Sequence, residues 1–148
     1  KDASPDLKKK NLFKKYLFCY DRFARPFLTY GQMMRPPHLE GRIPKLLSRT
    51  GKTLDLPSVE AMAWRTLDGR RLGVFIANYS SEARTVTWQI DLAEELGWGA
   101  LDQIEIRRWD HKALELKTLG KIFGGVLRRT KELGPYEVLV LEATKAFE

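Results

Sequence analysis

"RLGVFIANYSSEARTVTWQIDL", residues 71–92, reads as an apolar strand, a polar turn and a second strand. In the second half Val86, Trp88, Ile90 and Leu92 share one face, while Thr85, Thr87, Gln89 and Asp91 share the other. That alternation is the mark of a half-buried strand with one side on a core. Just upstream, "VEAMAWRT" runs through Leu67-Asp68-Gly69-Arg70 into "RLGVFIAN". Asp-Gly between two apolar runs is a strong hairpin signal, so these two segments are expected to be antiparallel neighbours. The segment 71–92 itself reads as a hairpin, with Trp88 inside.

Toward the C-terminus, "AEELGWG" is a short helical turn or loop, followed by "QIEIRRW", "ALELKTL", "IFGGVLRR" and "YEVLVLEA". The last run is apolar on both faces, as a central strand would be. The fold class expected is mainly β, an antiparallel β-sandwich of about seven to eight strands over residues 58–148, with a long α-helix before it. No internal repeat and no low-complexity tract interrupts the chain.

The helix is expected over residues 1–35. Ser4 can cap it, Pro5 suits its first position and Asp6 complements its positive end. Phe13, Leu17, Tyr20, Phe23 (or Ala24) and Phe27 recur every three to four residues, a face that must bury against something. Lys9, Lys10, Lys14, Lys15 and Arg22 lie mostly elsewhere. Pro26 is expected to kink the helix or end its regular part, because it removes a donor and crowds the preceding turn. Residues 36–57 hold four prolines and no sustained period. They read as a surface connector with one short strand near Leu46-Leu47.

With 148 residues the chain suffices for one domain and an appendage. Hydrophobic content of 43% with 30% charged residues is a globular composition, so wholesale disorder is not expected. The net charge of +7 suits anionic partners or simple solubility. One cysteine, Cys19, rules out an intrachain disulfide. No signal peptide and no apolar run of about 18 residues is present, so a soluble protein with no membrane span is expected. The first residue is lysine rather than methionine, which points to a piece of something longer.

The chemistry the sequence lacks is as informative as what it holds. His38, His111 and Cys19 have no ligand spacing, so no metal and no cofactor is expected. There is no G-x-S-x-G elbow, and Cys19 reads as a small packing residue. "GKIFGG" lacks the Gly-Lys-Ser/Thr of a phosphate loop and reads as strand and turn punctuation. Arg70-Arg71, Arg107-Arg108 and Arg128-Arg129 lie on strands, where neighbours face opposite ways, so none makes a flat basic patch alone. With no recognised module beside them, a basic nucleic-acid-binding domain stands only as the second alternative, after a carbohydrate-binding module. Trp98, between glycines, and Trp109, opposite in parity to Ile104 and Ile106, are the candidates for carbohydrate binding through exposed rings. Packing under a loop or against the helix is the competing and favoured reading for both. Asn78-Tyr79-Ser80 matches a glycosylation acceptor.

In order, these segments resemble the C-terminal end of a glycoside-hydrolase-type protein. "YDRFARPFLTYGQMMRPP" resembles the last helix of a (β/α)₈ barrel and its exit loop. "VEAMAWRTLDGRRLGVFIANYSSEARTVTWQIDL" is similar to the opening strands of the β-sandwich that trails such barrels, and "ELGPYEVLVLEA" to its closing strand. The resemblance implies a non-catalytic accessory domain: the paired carboxylates of glycoside hydrolysis belong to the barrel, and no catalytic residue is carried over. It implies an interface row on the N-terminal helix, Phe13, Leu17, Tyr20, Phe23 and Phe27. Part of this row is expected to pack on the sandwich near the connector, while the remainder is left exposed as a docking patch rimmed by lysines. The partner would be the barrel itself or a second copy of the chain.

Overall fold

The computed structural model describes residues 14–146. Among them are eleven strands: β1 (Gln32–Met33), β2 (His38–Leu39), β3 (Lys45–Leu47), β4 (Thr53–Pro57), β5 (Val59–Arg65), β6 (Arg71–Asn78), β7 (Arg84–Asp91), β8 (Gln103–Asp110), β9 (Glu115–Phe123), β10 (Val126–Leu133) and β11 (Val138–Lys145). The protein is mainly β and its strand pairings are antiparallel. A six-stranded sheet runs β1-β5-β6-β11-β8-β9, a three-stranded sheet runs β10-β7-β2, and β3-β4 form a third sheet alone. This is more strands, less evenly shared, than the compact sandwich expected.

The Asp68-Gly69 turn joins β5 to β6 with Arg65 opposite Leu72. Gly69 takes a φ of 69°, a left-handed conformation that glycine adopts without steric cost. The Asp68 carboxylate accepts from the Thr66 hydroxyl at 2.6 Å and from the Arg70 amide at 3.0 Å, which closes the turn. "VLVLEA" is indeed central, since β11 lies between β6 and β8.

The segment 71–92 is not a hairpin. β6 pairs with β5 and β11, whereas β7 pairs with β10 and β2. The turn between them carries the chain from one sheet to the other, and Leu72, Val74 and Ile76 meet Val86, Trp88 and Ile90 in one buried cluster. Asn78 holds the crossing. Its buried amide donates to the carbonyls of Glu82 at 2.8 Å and Gly134 at 3.0 Å, and its oxygen accepts from the Ser80 amide and hydroxyl. Gly134 lies in the crossing from β10 to β11, so one side chain ties two crossings together.

A further crossing, β9 to β10, turns at Gly124-Gly125. A Cβ on Gly124 would lie 2.2 Å from the Gly99 carbonyl oxygen, and Gly125 has a φ of 101°. "GKIFGG" is therefore punctuation for a close backbone approach. The short helix Leu92–Leu96 starts with Asp91 accepting from the Glu94 amide and ends at Gly97 in the left-handed region. Residues 36–57 hold three short strands rather than one: β2 extends the three-stranded sheet, and β3-β4 stand apart.

Candidate functional site: the helix-covered face of the six-stranded sheet

The N-terminal helix covers the face of the six-stranded sheet that points away from the shared core. Its described part runs over residues 14–28, 15 residues, shorter than the long helix expected. The winding is α over 14–19, π over Tyr20–Ala24 and α again over Arg25–Leu28. Pro26 explains the change. It cannot donate back to Arg22 and its ring crowds that carbonyl, so the Arg25 amide reaches Tyr20 instead.

Wider winding moves the buried face. Cys19, Phe23, Ala24 and Phe27 are buried with Phe75, Trp109 and Val140 of the sheet. Leu17, expected on this face, is 52% exposed, and Tyr20 is half-buried. Phe13 lies outside the described residues. A period of 3.6 applied across a π turn puts the earlier residues on the wrong side, which is why the row does not survive as a unit.

Phe23 stacks on Trp109 at 6.0 Å with planes 24° apart and packs on Phe27 at 5.4 Å. Phe27 is fully buried in a socket whose floor is Gly73, where a Cβ would sit 3.0 Å from the phenyl ring. The Arg71 guanidinium lies 4.9 Å from the same ring. Cys19 is 5% exposed, and burial pushes its thiol up to about 12, so it is a packing residue with no thiolate to offer near neutral pH.

On the same face Glu142 carries a fully buried carboxylate. Arg71 of β6 donates to it at 3.1 Å through Nε and again through a second nitrogen. Arg107 of β8 does the same from the other side, at 2.9 Å through Nε, and the Thr144 hydroxyl adds a third donor at 3.0 Å. Burial pushes the Glu142 pKa up, but the hydrogen bonds and charge of the two arginines outweigh it, and the group is held below its ordinary value. With its acceptor sites filled by donors and its proton lost, this carboxylate is built to organise strands and is unsuited to general acid work. The sequence marks Glu142 only weakly among the acidic residues. Its signal is parity alone: it interrupts an otherwise apolar central strand.

The structure separates the two tryptophan candidates and encloses both. Trp98 is 2% exposed in the core between the sheets, and its indole N–H donates to the Gly69 carbonyl at 3.2 Å. Trp109 is 5% exposed beneath the helix. Both rings are buried, as in the packing reading favoured over exposed rings. The Trp98 loop is pressed down by the Gly124 approach, and Trp109 is roofed by Phe23. The edge of Trp98 reaches a polar cavity of about 750 Å³ whose wall includes Asp68, Asp102 and Lys145. Trp109 borders one of about 320 Å³ beside His111 and Lys15. There the ring of His111 meets the Val138 carbonyl at 3.1 Å and Tyr16 edge-on, and burial lowers its pKa.

Among the described residues no group of histidine, cysteine or acidic side chains could hold a metal ion. No described helix is long and apolar enough to cross a membrane. Asn78 is 1% exposed and its amide is engaged, so the acceptor motif is not presented to a glycosyl donor.

No protein-family model matches the chain, and no curated protein matches it. Among solved structures it is similar to a GH27 β-L-arabinopyranosidase from Geobacillus stearothermophilus, at 22% identity over 60% of this chain and 18% of that one, with a TM-score of 0.40. α-Galactosidase I from Mortierella vinacea matches at 15% identity over 58% of this chain and 20% of that one, TM-score 0.40. A GH51 α-L-arabinofuranosidase from Thermotoga petrophila matches at 13% identity over 79% of this chain and 27% of that one, TM-score 0.43. The likeness is distant in each case. The chain spans about a fifth to a quarter of the length of these proteins.

Proposed function

We propose that the chain is a non-catalytic accessory domain of a larger carbohydrate-active protein, joined to it through the N-terminal helix. The observation that carries this reading is the division of that helix. One side, Phe23 and Phe27, is seated in the sheet, while Leu17 and Phe18 on the other are 52% and 41% exposed. Apolar side chains grouped on a docked helix are how a covered interface presents itself when its partner is absent. Glu142, the buried carboxylate among the described residues, is committed to two arginines, which suits a scaffold. The type of the parent, a glycoside hydrolase, rests on the sequence resemblance. Enclosure of Trp98 and Trp109 favours their packing role over stacking on sugar rings.

Sedimentation tests the docking face. The intact chain should associate as concentration rises, and the Leu17→Ser/Phe18→Ser variant should remain monomeric and equally folded. Two monomeric, equally soluble proteins would overturn the reading. The purified chain should also turn over no glycoside. Activity lost on substituting one acidic residue would show that a catalytic site is present after all.

A further inference from the structure

The β3-β4 sheet pairs with neither of the other sheets. Every residue of β4 is exposed, Leu54 at 37% and Leu56 at 55%, and Leu47 of β3 is 63% exposed. A two-stranded hairpin alone in water is marginal, and leucines left in water forfeit the transfer energy that would stabilise it. The pairing shifts register between Lys45 and Leu47, yet Lys45 opposes Pro57 and reaches Asp55, so Leu54 and Leu56 take one side of β4 and Thr53, Asp55 and Pro57 share the other. Leu47 pairs with Thr53 and so belongs to the second side. Leucine thus stands on both faces.

That distribution selects the kind of occupant. A flat surface would cover one face; a cleft covers both. Among the described residues no strand pairs with either outer edge, and a lipid interior could not satisfy their N–H and C=O groups, whereas a strand edge within a protein cleft could. Arg42, just before β3, and Arg49 and Lys52, in the turn, form no ion pair with a described residue, while Lys45 is tied to Asp55 at 2.9 Å. A second copy would bring the same cations to a chain already at +7. Acidic groups would complement them. We propose that the hairpin, residues 45–57, is a docking arm that inserts into a cleft of another folded protein unit, apolar within and rimmed by Asp and Glu. This surface is separate from the helix face, and it can fail without that reading failing.

The test is photo-crosslinking in the cells that make the protein, with p-benzoylphenylalanine at Leu54. The control carries the same group at Leu101, which is 94% exposed and lies outside the arm. The expected result is one protein adduct, specific to Leu54, whose crosslinked peptide carries several Asp or Glu residues. Its yield should fall roughly tenfold in an Arg49→Glu/Lys52→Glu background, since rim charges govern encounter and register. Folding of each variant is checked by thermal unfolding, which substitutions at exposed positions should leave unchanged. An adduct with a second copy or with lipid would overturn the proposal. So would a yield unaffected by charge reversal, or no adduct beyond that at Leu101.

Discussion

Glu142 shows how one residue can set both the stability and the acid sensitivity of a face. It lies under the helix, and removing its charge leaves two arginines facing each other. Both arginine side chains are about a third exposed, at 34% and 35%, so water can recover part of their solvation. Glu142→Gln should therefore cost about 2–3 kcal/mol, at the low end for breaking a buried pair. The folded-state pKa is depressed below the ordinary 4.5. The contribution is then fully present above that value and is lost as pH falls through the lower, folded one. Urea unfolding should show the two proteins diverging at pH 7 and converging in strong acid. Asn78 is the second residue of this kind. Asn78→Ala strips partners from the Glu82 and Gly134 carbonyls and the Ser80 amide, and should cost about 2–4 kcal/mol. Equal unfolding midpoints for variant and wild type would show that the crossings do not depend on it.

At the scale of elements, the N-terminal helix is held by a few large contacts rather than by its own propensity. Phe27 supplies the deepest of them, in the Gly73 socket beneath Arg71. Phe27→Ala should cost about 3–5 kcal/mol and release the helix. Hydrogen exchange should show the amides of 20–28 losing protection while β6 and β11 keep theirs. Uniform loss in all three would mean that the helix and sheet unfold as one unit. The Gly124 crossing is less forgiving, because the obstacle is backbone. A Cβ there meets the Gly99 and Trp98 carbonyl oxygens at 2.2 and 2.6 Å, so Gly124→Ala should destabilise by about 1–3 kcal/mol through forced displacement. A Gly125→Ala change would act through its φ of 101° instead.

At the scale of the molecule, the six- and three-stranded sheets share one core, with Trp88 fully buried where β7 faces the larger sheet. Trp88→Ala should cost about 3–5 kcal/mol. Because both sheets lose the same contact, unfolding should remain a single transition with a lower midpoint. Two separated transitions would show that the sheets are stable independently. On the outer side of the larger sheet the helix forms a third layer, whose Leu17 and Phe18 remain exposed.

What the sequence by itself determined is what local periodicity and turn chemistry carry. The parity of Val86, Trp88 and Ile90, the Asp68-Gly69 turn, the short helix before Trp98 and the central place of "VLVLEA" could all be read from neighbours in the chain. Much of the candidate site could not. A strand's alternation says which side is buried but not which sheet it joins, so 71–92 reads as a hairpin when the buried Asn78 makes it a crossing. Pro26 announces a disturbed helix, yet whether it kinks or widens depends on which carbonyl the Arg25 amide can reach. The parity of Trp109 sets it on the face opposite Ile104 and Ile106, but the roof over that face is Phe23, 86 residues away by sequence number and 6.0 Å away in space. Glu142 is charged in the unfolded chain and remains so in the fold only because two distant strands each deliver an arginine to it. Contacts between remote segments decide these features, since only chain closure brings such groups within range of one another.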